Sequence, residues 1–349
     1  MREMEEELKM FIKAWACAII SVSYCYYVSQ KIKAGVFRLI CFLPVCALFI
    51  VLPLFFSSAH FSFITSTFFT SIANLKLILF AFDKSNLFPA PPNLIQFLCF
   101  ICLPIHPQRN PKSQDPFPKW VFAVKVLVFG VVLHVYNHIE YLQPILILGL
   151  YPLHTYLSLE IPLTLLKDLL TITLGFDFEP IFNEPYLATS LQDFWGRRWN
   201  LPVSAILRSS VFIPVRRVCS YLMNTKRAII VGVLASFLVS GLLHELVFFY
   251  VTRQAPTWEV TWYFVLHGVC TVVEVIVKRE TSVGRWVVRP AVSRLLTVGF
   301  VVLSAGCLFF PQFKRSGAME RFAGESLLFT DFKHDLFIFL GVAKYQNNM

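Results

Sequence analysis

Residues 232–250 read GVLASFLVSGLLHELVFFY, nineteen residues of which almost all are apolar. At 1.5 Å per residue such a helix is about 28 Å long, close to the ~30 Å hydrocarbon thickness of a bilayer. Its few polar residues are confined to one stripe. Ser236, Ser240 and His244 recur every four residues, and Gly241 and Glu245 border them. A histidine or a glutamate turned toward lipid would cost on the order of a few kcal/mol, so the stripe faces the interior of a bundle or a cavity. For His244 the residues alone leave two uses open, hydrogen bonding between helices and chemistry.

The rest of the chain has the same character. Hydrophobic residues make up 56% of it, 36 residues are phenylalanine, and charged residues reach only 15%, against about 25% in soluble domains. This predicts an all-α polytopic membrane protein. Further spans are expected at 8–28, 36–56, 120–136, 228–251, 260–277 and 290–310. The first opens on Glu5, Glu6 and Glu7 rather than a basic region and is too long for a signal-peptide core, so it is expected to be an uncleaved span with no soluble domain before it. The run 61–82 is flecked with Ser and Thr, and 144–174 is overlong and contains Pro152 and Pro162, which predicts a kink or two pieces. Residues 93–105, between proline-rich flanks, are too short to cross and are expected to re-enter or lie in the interface. The last candidate, 326–343, is interrupted by Asp331, Lys333, His334 and Asp335. Eight or nine crossings result. Eight of the nine cysteines lie in apolar runs, so they behave as small hydrophobes and no disulfide framework is expected. Cys99 and Cys102 are spaced C-x-x-C, but no second pair completes a metal site, and none is predicted.

With 93–105 not crossing, the basic residues fall mainly on one side: Lys31, Lys33, Arg38, Lys84, Arg109, Lys112, Lys119, the region Arg197–Arg227, and Lys278, Arg279, Arg285 and Arg289. That side is expected to be cytosolic. Arg2, Lys9 and Lys13 run against this scheme. The net charge of +10 therefore belongs largely to one face, where it suits anionic lipid headgroups or a phosphate-bearing substrate and follows equally from orientation alone. Nothing in the pattern suggests nucleic acid as a partner or specifies an oligomeric state.

The longest region without a span, 175–227, contains LQDFWGRRWN at 191–200. Two tryptophans, two arginines, an aspartate and an asparagine in ten residues are costly near a bilayer unless paired, hydrated or placed at its boundary. Asp193, Arg197 and Asn200 are spaced i, i+4, i+7, which on a helix would place them on one face, with Phe194 and Arg198 on the next and Trp195 and Trp199 four apart along lipid or substrate. An aromatic belt with basic anchors accounts for the same residues. The following LPVSAILRSSVFIPVRRVCSY (201–221) fits helices at the cytosolic boundary, with Arg208, Arg216 and Arg217 reaching to water. A second intramembrane stripe, His267, Thr271, Glu274 and Lys278, reads as polar packing.

SLQDFWGRRWN at 190–200, followed about 40 residues later by SGLLHEL at 240–246, resembles the plant wax ester synthases, a branch of the membrane-bound O-acyltransferases. The N-terminal third is similar chiefly in hydropathy and in phrases such as FIKAWACAIISVSYCYY (11–27). The resemblance implies a transmembrane helical bundle with interfacial helices and an internal substrate tunnel. It implies one membrane-embedded domain over 1–349: N-terminal helices within 1–116, a catalytic core of about 117–310 and a C-terminal helix of about 320–349. His244 and Asn200 become the catalytic pair, and Asp193, Trp195, Arg197, Arg198 and Trp199 the surrounding acyl-CoA motif, with Ser240 and Glu245 in support. The reaction implied is transfer of a fatty acyl group from acyl-CoA to a long-chain alcohol, with acyl-CoA as co-substrate and no cofactor. His244 would act as base, its tautomer set by Glu245 or a neighbouring hydroxyl, and Asn200 would bond either the thioester oxygen or the incoming hydroxyl. The basic loops, the lack of an N-x-S/T sequon and the cytosolic CoA pool fit the endoplasmic reticulum membrane. A sterol or diacylglycerol acceptor would use the same pair, and a secondary transporter would explain the polar stripes without chemistry, although no internal repeat is present.

Overall fold

The computed structural model describes residues 2–83, 93–106, 119–136, 138, 141–175, 177–280, 289–322 and 324–325. Every regular element among them is helical. The chain opens with α1 (Arg2–Lys31), α2 (Val36–Val51), α3 (Ala59–Thr65) and α4 (Asn74–Ala81), and a π-helical stretch, Ser66–Ala73, joins α3 to α4 without a break. The serines and threonines that fleck this run turn inward. Ser62, Thr65, Ser66 and Thr70 are buried, and Thr70 donates to the Phe49 carbonyl at 2.6 Å. Phe42, Phe49, Phe56, Phe69, Leu77 and Phe97 form the core of this N-terminal group. Lipid is as apolar as these side chains, so the group is held by close packing and internal hydrogen bonds rather than by exclusion of water.

Two buried cations act on helix ends. The Arg38 guanidinium donates to the carbonyls of Ser29, Ile32 and Phe80 and to Asp83, which ties the C-terminal ends of α1 and α4 to the start of α2. The short α5 (Leu94–Cys102) is too short to cross. Its end is capped by the ammonium of Lys76, which donates to the carbonyls of Phe100 (2.5 Å) and Leu103 (2.6 Å). Free carbonyls at a helix C-terminus carry partial negative charge, so a cation there serves both groups.

A hairpin of α6 (Lys119–Tyr136) and α7 (Pro144–Leu174) follows. The helix α7 runs undivided through Pro152 and Pro162, so the expected break into two pieces does not occur. A proline removes one backbone donor, and in a membrane helix the neighbouring elements can satisfy the carbonyl it frees. Three short helices, α8 (Leu191–Asp193), α9 (Leu201–Leu207) and α10 (Ile213–Leu222), then lead to α11 (Thr225–Thr252), α12 (Glu259–Glu280), α13 (Pro290–Ser304) and α14 (Pro311–Arg315). On α10, Val218, Tyr221 and Leu222 are exposed beside Arg216 and Arg217, the pattern of a helix at a membrane boundary. The pair α11 and α12 pack closely because Gly241 lets them. A Cβ there would lie 2.9 Å from Thr261 Cα.

Among the described residues, six stretches are long and apolar enough to cross a membrane: Met4–Lys31, Val36–Phe55, Ala59–Ala81, Thr225–Thr252, Glu259–Lys278 and Pro290–Arg315. The apolar α6 is shorter, and α7 buries Glu160 and Lys167 within its length. The molecule is thus a multi-pass membrane helical bundle. Of the C-terminal helix expected at about 320–349, residues 320–322 and 324–325 are helical and the rest, with the 326–343 candidate, lies outside the described residues.

At the end of the bundle opposite the basic loops, Glu325 closes the structure. Its carboxylate accepts from Ser58 Oγ (2.8 Å), from the backbone N–H groups of Ala59 (2.6 Å) and His60 (3.0 Å), and meets His60 Nδ1 at 2.7 Å. It caps the N-terminus of α3 from 265 residues away in sequence. Burial alone would raise its pKa, but the bonds from His60, Ala59 and Ser58 outweigh that and hold it at about 2. A carboxyl held below its ordinary value stabilises the fold above that value and ceases to do so as pH falls to its folded one. Glu325→Gln is therefore expected to cost about 1 kcal/mol at neutral pH, read as a lower thermal midpoint, and the difference from wild type should vanish as pH is lowered from 4.5 to about 2. Equal midpoints at neutral pH would remove the clasp from the account.

Candidate active site

The loop that carries LQDFWGRRWN begins where Gly175 ends α7 in a left-handed conformation (φ 71°). Ser190 starts the next helix, its Oγ accepting from the Asp193 N–H at 3.0 Å while Asp193 Oδ2 accepts from the Thr189 N–H at 3.3 Å, a reciprocal arrangement of the capping-box kind. The helix does not continue as spacing predicts. After α8 it widens into a π-helical stretch, Phe194–Arg198, and stops. Trp199 is extended (φ −91°, ψ 123°) and Asn200 is left-handed (φ 40°, ψ 66°). Asp193, Arg197 and Asn200 consequently do not share a helical face, and the partner of Asp193 is Arg198, at 2.7 Å.

Asn200 has local reasons to be asparagine. It is among the few residue types that adopt a left-handed backbone readily, and its Oδ1 caps α9 by accepting from the Val203 N–H at 3.4 Å. With the oxygen so used, the Nδ2 amide is left as donor. The turn is pinned from behind by the segment 181–184. Asn183 N–H donates to the Arg198 carbonyl (2.9 Å) and Leu201 N–H to the Ile181 carbonyl (2.8 Å), while Arg198 Nη1 reaches the carbonyls of Asn183 and Glu184 at 3.2 and 3.3 Å. The two arginines are therefore unlike. Arg198 is committed to the loop, whereas Arg197 is exposed and bonds through its side chain to no described residue.

The tryptophans point into the protein rather than along lipid. Trp199 stacks on Phe194 (5.5 Å, 16°) and meets Phe182 edge-on (5.2 Å). Trp195 donates from Nε1 to His267 Nδ1 at 3.0 Å, and His267 Nε2 lies 2.9 Å from Ser304 Oγ. Because an indole can only donate, His267 Nδ1 accepts and its proton sits on Nε2, directed at Ser304. Ser304 in turn donates to the Phe300 carbonyl at 2.6 Å. His267 is fully buried with both nitrogens used, and has no lone pair to offer.

His244, on α11, is wired the other way. Its Nδ1 lies 2.8 Å from the Ser240 carbonyl, and a carbonyl only accepts, so the proton is on Nδ1 and the Nε2 lone pair is free. The imidazole is half-buried, with the rings of Phe264 at 4.4 Å and Phe309 at 5.9 Å. Phe264 also contacts Trp195 (5.7 Å), so the motif and the histidine meet across one phenylalanine. The single side-chain hydrogen bonds of Asn200 and His244 run to Val203 and Ser240 and do not join the two. Ser240 contributes its backbone carbonyl, not its hydroxyl. Glu245, the next residue round the helix, faces away and accepts from the Thr261 N–H at 3.2 Å. It bonds α11 to α12 rather than setting the His244 tautomer.

Sequence reading places His267 only in a packing stripe and passes over Ser304, Phe264 and Phe309. Aromatic residues inside spans carry no periodic signal that would separate a ring beside an imidazole from one beside lipid.

The sequence profile of the membrane bound O-acyl transferase family matches residues 178–266, the stretch from the loop before the motif to α12. The chain is similar along nearly its whole length to three proteins of Arabidopsis thaliana. It is 61% identical over 333 residues to probable long-chain-alcohol O-fatty-acyltransferase 9, covering 94% of this chain and 98% of that one. It is 58% identical to probable long-chain-alcohol O-fatty-acyltransferase 8 (97% and 100% covered) and 58% identical to probable long-chain-alcohol O-fatty-acyltransferase 3 (97% and 99% covered).

The unlike roles of the two arginines can be measured. Arg198→Gln leaves Asp193 without its cation and is expected to destabilise the protein by about 2 kcal/mol, seen as a lower thermal midpoint, whereas Arg197→Gln should leave the midpoint within about 1 °C of wild type. Equal losses from the two would refute the division.

Proposed function

This chain belongs to the membrane bound O-acyl transferase family, in its long-chain-alcohol O-fatty-acyltransferase branch, and we propose that it joins a fatty acyl group from acyl-CoA to the hydroxyl of a long-chain alcohol, yielding a wax ester and free CoA. It is an acyltransferase embedded in a membrane. The observation that carries the mechanism is the tautomer of His244, whose Nδ1–H is held by the Ser240 carbonyl so that Nε2 is left as a base beside the motif. His267, saturated by Trp195 and Ser304, is not available for that task.

An alcohol is a poor nucleophile until its proton is taken during attack. His244 Nε2 accepts that proton as the alcohol oxygen bonds to the thioester carbonyl carbon. The charge that builds on the carbonyl oxygen is met by the Asn200 Nδ2 amide, the donor that remains once Oδ1 is engaged by Val203. The carbon–sulfur bond then breaks, and the imidazolium returns the proton to the departing thiolate. No acyl-enzyme is formed, and the scheme draws on no cofactor beyond the acyl-CoA. Arg197, exposed and unpaired among the described residues, holds a CoA phosphate at the basic face. The apolar bundle receives the acyl chain and the alcohol through an internal tunnel. Basic loops suited to a cytosolic CoA pool support the endoplasmic reticulum membrane as its location.

In microsomes supplied with acyl-CoA and a fatty alcohol, His244→Ala is expected to abolish ester synthesis at normal protein level, and full retention of activity refutes the assignment. Asn200→Gly keeps the left-handed backbone and costs only a few tenths of a kcal/mol as a cap, so a rate loss of about 10² at near-normal stability is expected if the amide supports the oxyanion. Product chromatography with a sterol or a diacylglycerol in place of the alcohol decides the acceptor, and a strict requirement for either overturns the wax ester reading.

A further inference from the structure

Three charged side chains from three separate elements are buried together behind the motif: Lys125 on α6 (8% exposed), Glu160 on α7 (6%) and Glu184 in the loop before α8 (4%). Lys125 Nζ lies 2.5 Å from Glu160 Oε1 and 2.7 Å from Glu184 Oε1, with the ring of Tyr156 5.8 Å away on a further side. From this cluster to the Trp199–Asn200 turn the contacts are continuous. The Glu184 carbonyl accepts from Arg198, Arg198 pairs with Asp193, and the backbone of 181–184 holds that of 198–201. Tyr156 also packs on Phe182 at 5.6 Å and on Trp199 at 6.1 Å.

We infer that Lys125, gripping Glu160 and Glu184, is a positioning residue for acyl transfer, fixing the loop that aims Asn200. As a device for stability alone the cluster is a poor choice. Burying charge costs several kcal/mol per ion, and apolar side chains of similar volume commonly hold such a place as well or better. Glu184 is moreover held left-handed at φ 45°, a conformation that costs roughly 1–2 kcal/mol in a residue other than glycine. Short ammonium–carboxylate bonds supply what methylene packing does not, a defined direction and length. Reacting groups tolerate little displacement, since a shift of about 1 Å can lose as much as 10² in rate.

This inference rests on Asn200 being part of the acyl-transfer machinery as proposed above. Its test is the full-length triple variant Lys125→Met, Glu160→Met and Glu184→Met, which removes all three charges and leaves none stranded. The expected result is a thermal midpoint equal to or above wild type, kcat lower by about tenfold or more, KM for acyl-CoA within about threefold, and faster hydrogen exchange at the amides of 183–201 with α11 and α12 unchanged. A stable triple variant with wild-type kcat and wild-type exchange in the loop overturns the positioning role. If wild type itself makes no ester from a fatty alcohol, the proposed reaction fails while the exchange comparison still decides the positioning. Should the triple variant not accumulate, Glu184→Ala is expected to lose activity and Glu184→Gln, whose amide oxygen still accepts from Lys125, to regain it; full activity in Glu184→Ala overturns the inference.

Discussion

The bond from the Trp195 indole to His267 Nδ1 organises the site more than any other single contact. It crosses from the motif loop to α12, and because an indole has only a proton to give, it fixes the protonation of His267. That puts the one ring proton on Nε2, directed at Ser304 on α13. Three elements are thereby locked by one directional chain that ends on the Phe300 carbonyl. One consequence is positional, since Trp195 is held against Phe264, the ring that also covers His244. Another is chemical. Of these two histidines, one is saturated and the other keeps a lone pair, and the difference arises from the type of partner each Nδ1 meets.

The same constraint governs the rest of the bundle. In hydrocarbon no water completes an unmet hydrogen bond, so a polar group there depends on partners within the protein. The sequence contains cations at positions that read as interruptions of apolar runs, and the structure uses them to close helix ends. Lys76 caps α5, and Arg38 gathers the ends of α1 and α4. Arg253 does the same at the opposite end, donating to the carbonyls of Pro53 and Phe56 at 2.8 and 2.6 Å. The short α5 ends where a buried ammonium meets its last carbonyls.

How far the sequence discloses this molecule depends on the range of the interaction. Spans are legible because hydropathy is a local sum, and the region 232–250 or 260–277 needs no tertiary information. His244 stands out for the same reason, as an imidazole in hydrocarbon. The face shared by Asp193, Arg197 and Asn200 is misread because periodicity assumes a helix that continues, whereas the π-helical stretch and the left-handed Asn200 end it. The continuity of α7 through two prolines depends on neighbours, which no local rule sees. Glu245 and Ser240 stand near His244 in sequence, yet adjacent helical residues diverge by about 100°, and His244 bonds only the i−4 carbonyl.

Asn200 shows how one residue can meet several demands that look separate in sequence. The chain must reverse between the π-helical stretch and α9, which calls for a left-handed backbone. Glycine would allow the reversal and serine would cap the helix, but neither would leave a rigid N–H donor beyond the cap. A carboxamide meets all three requirements at once: its backbone tolerates the turn, its oxygen closes α9, and its nitrogen is turned outward by the use of that oxygen. The orientation of the donor is therefore a product of helix capping, set by the local rules of chain folding rather than added to them.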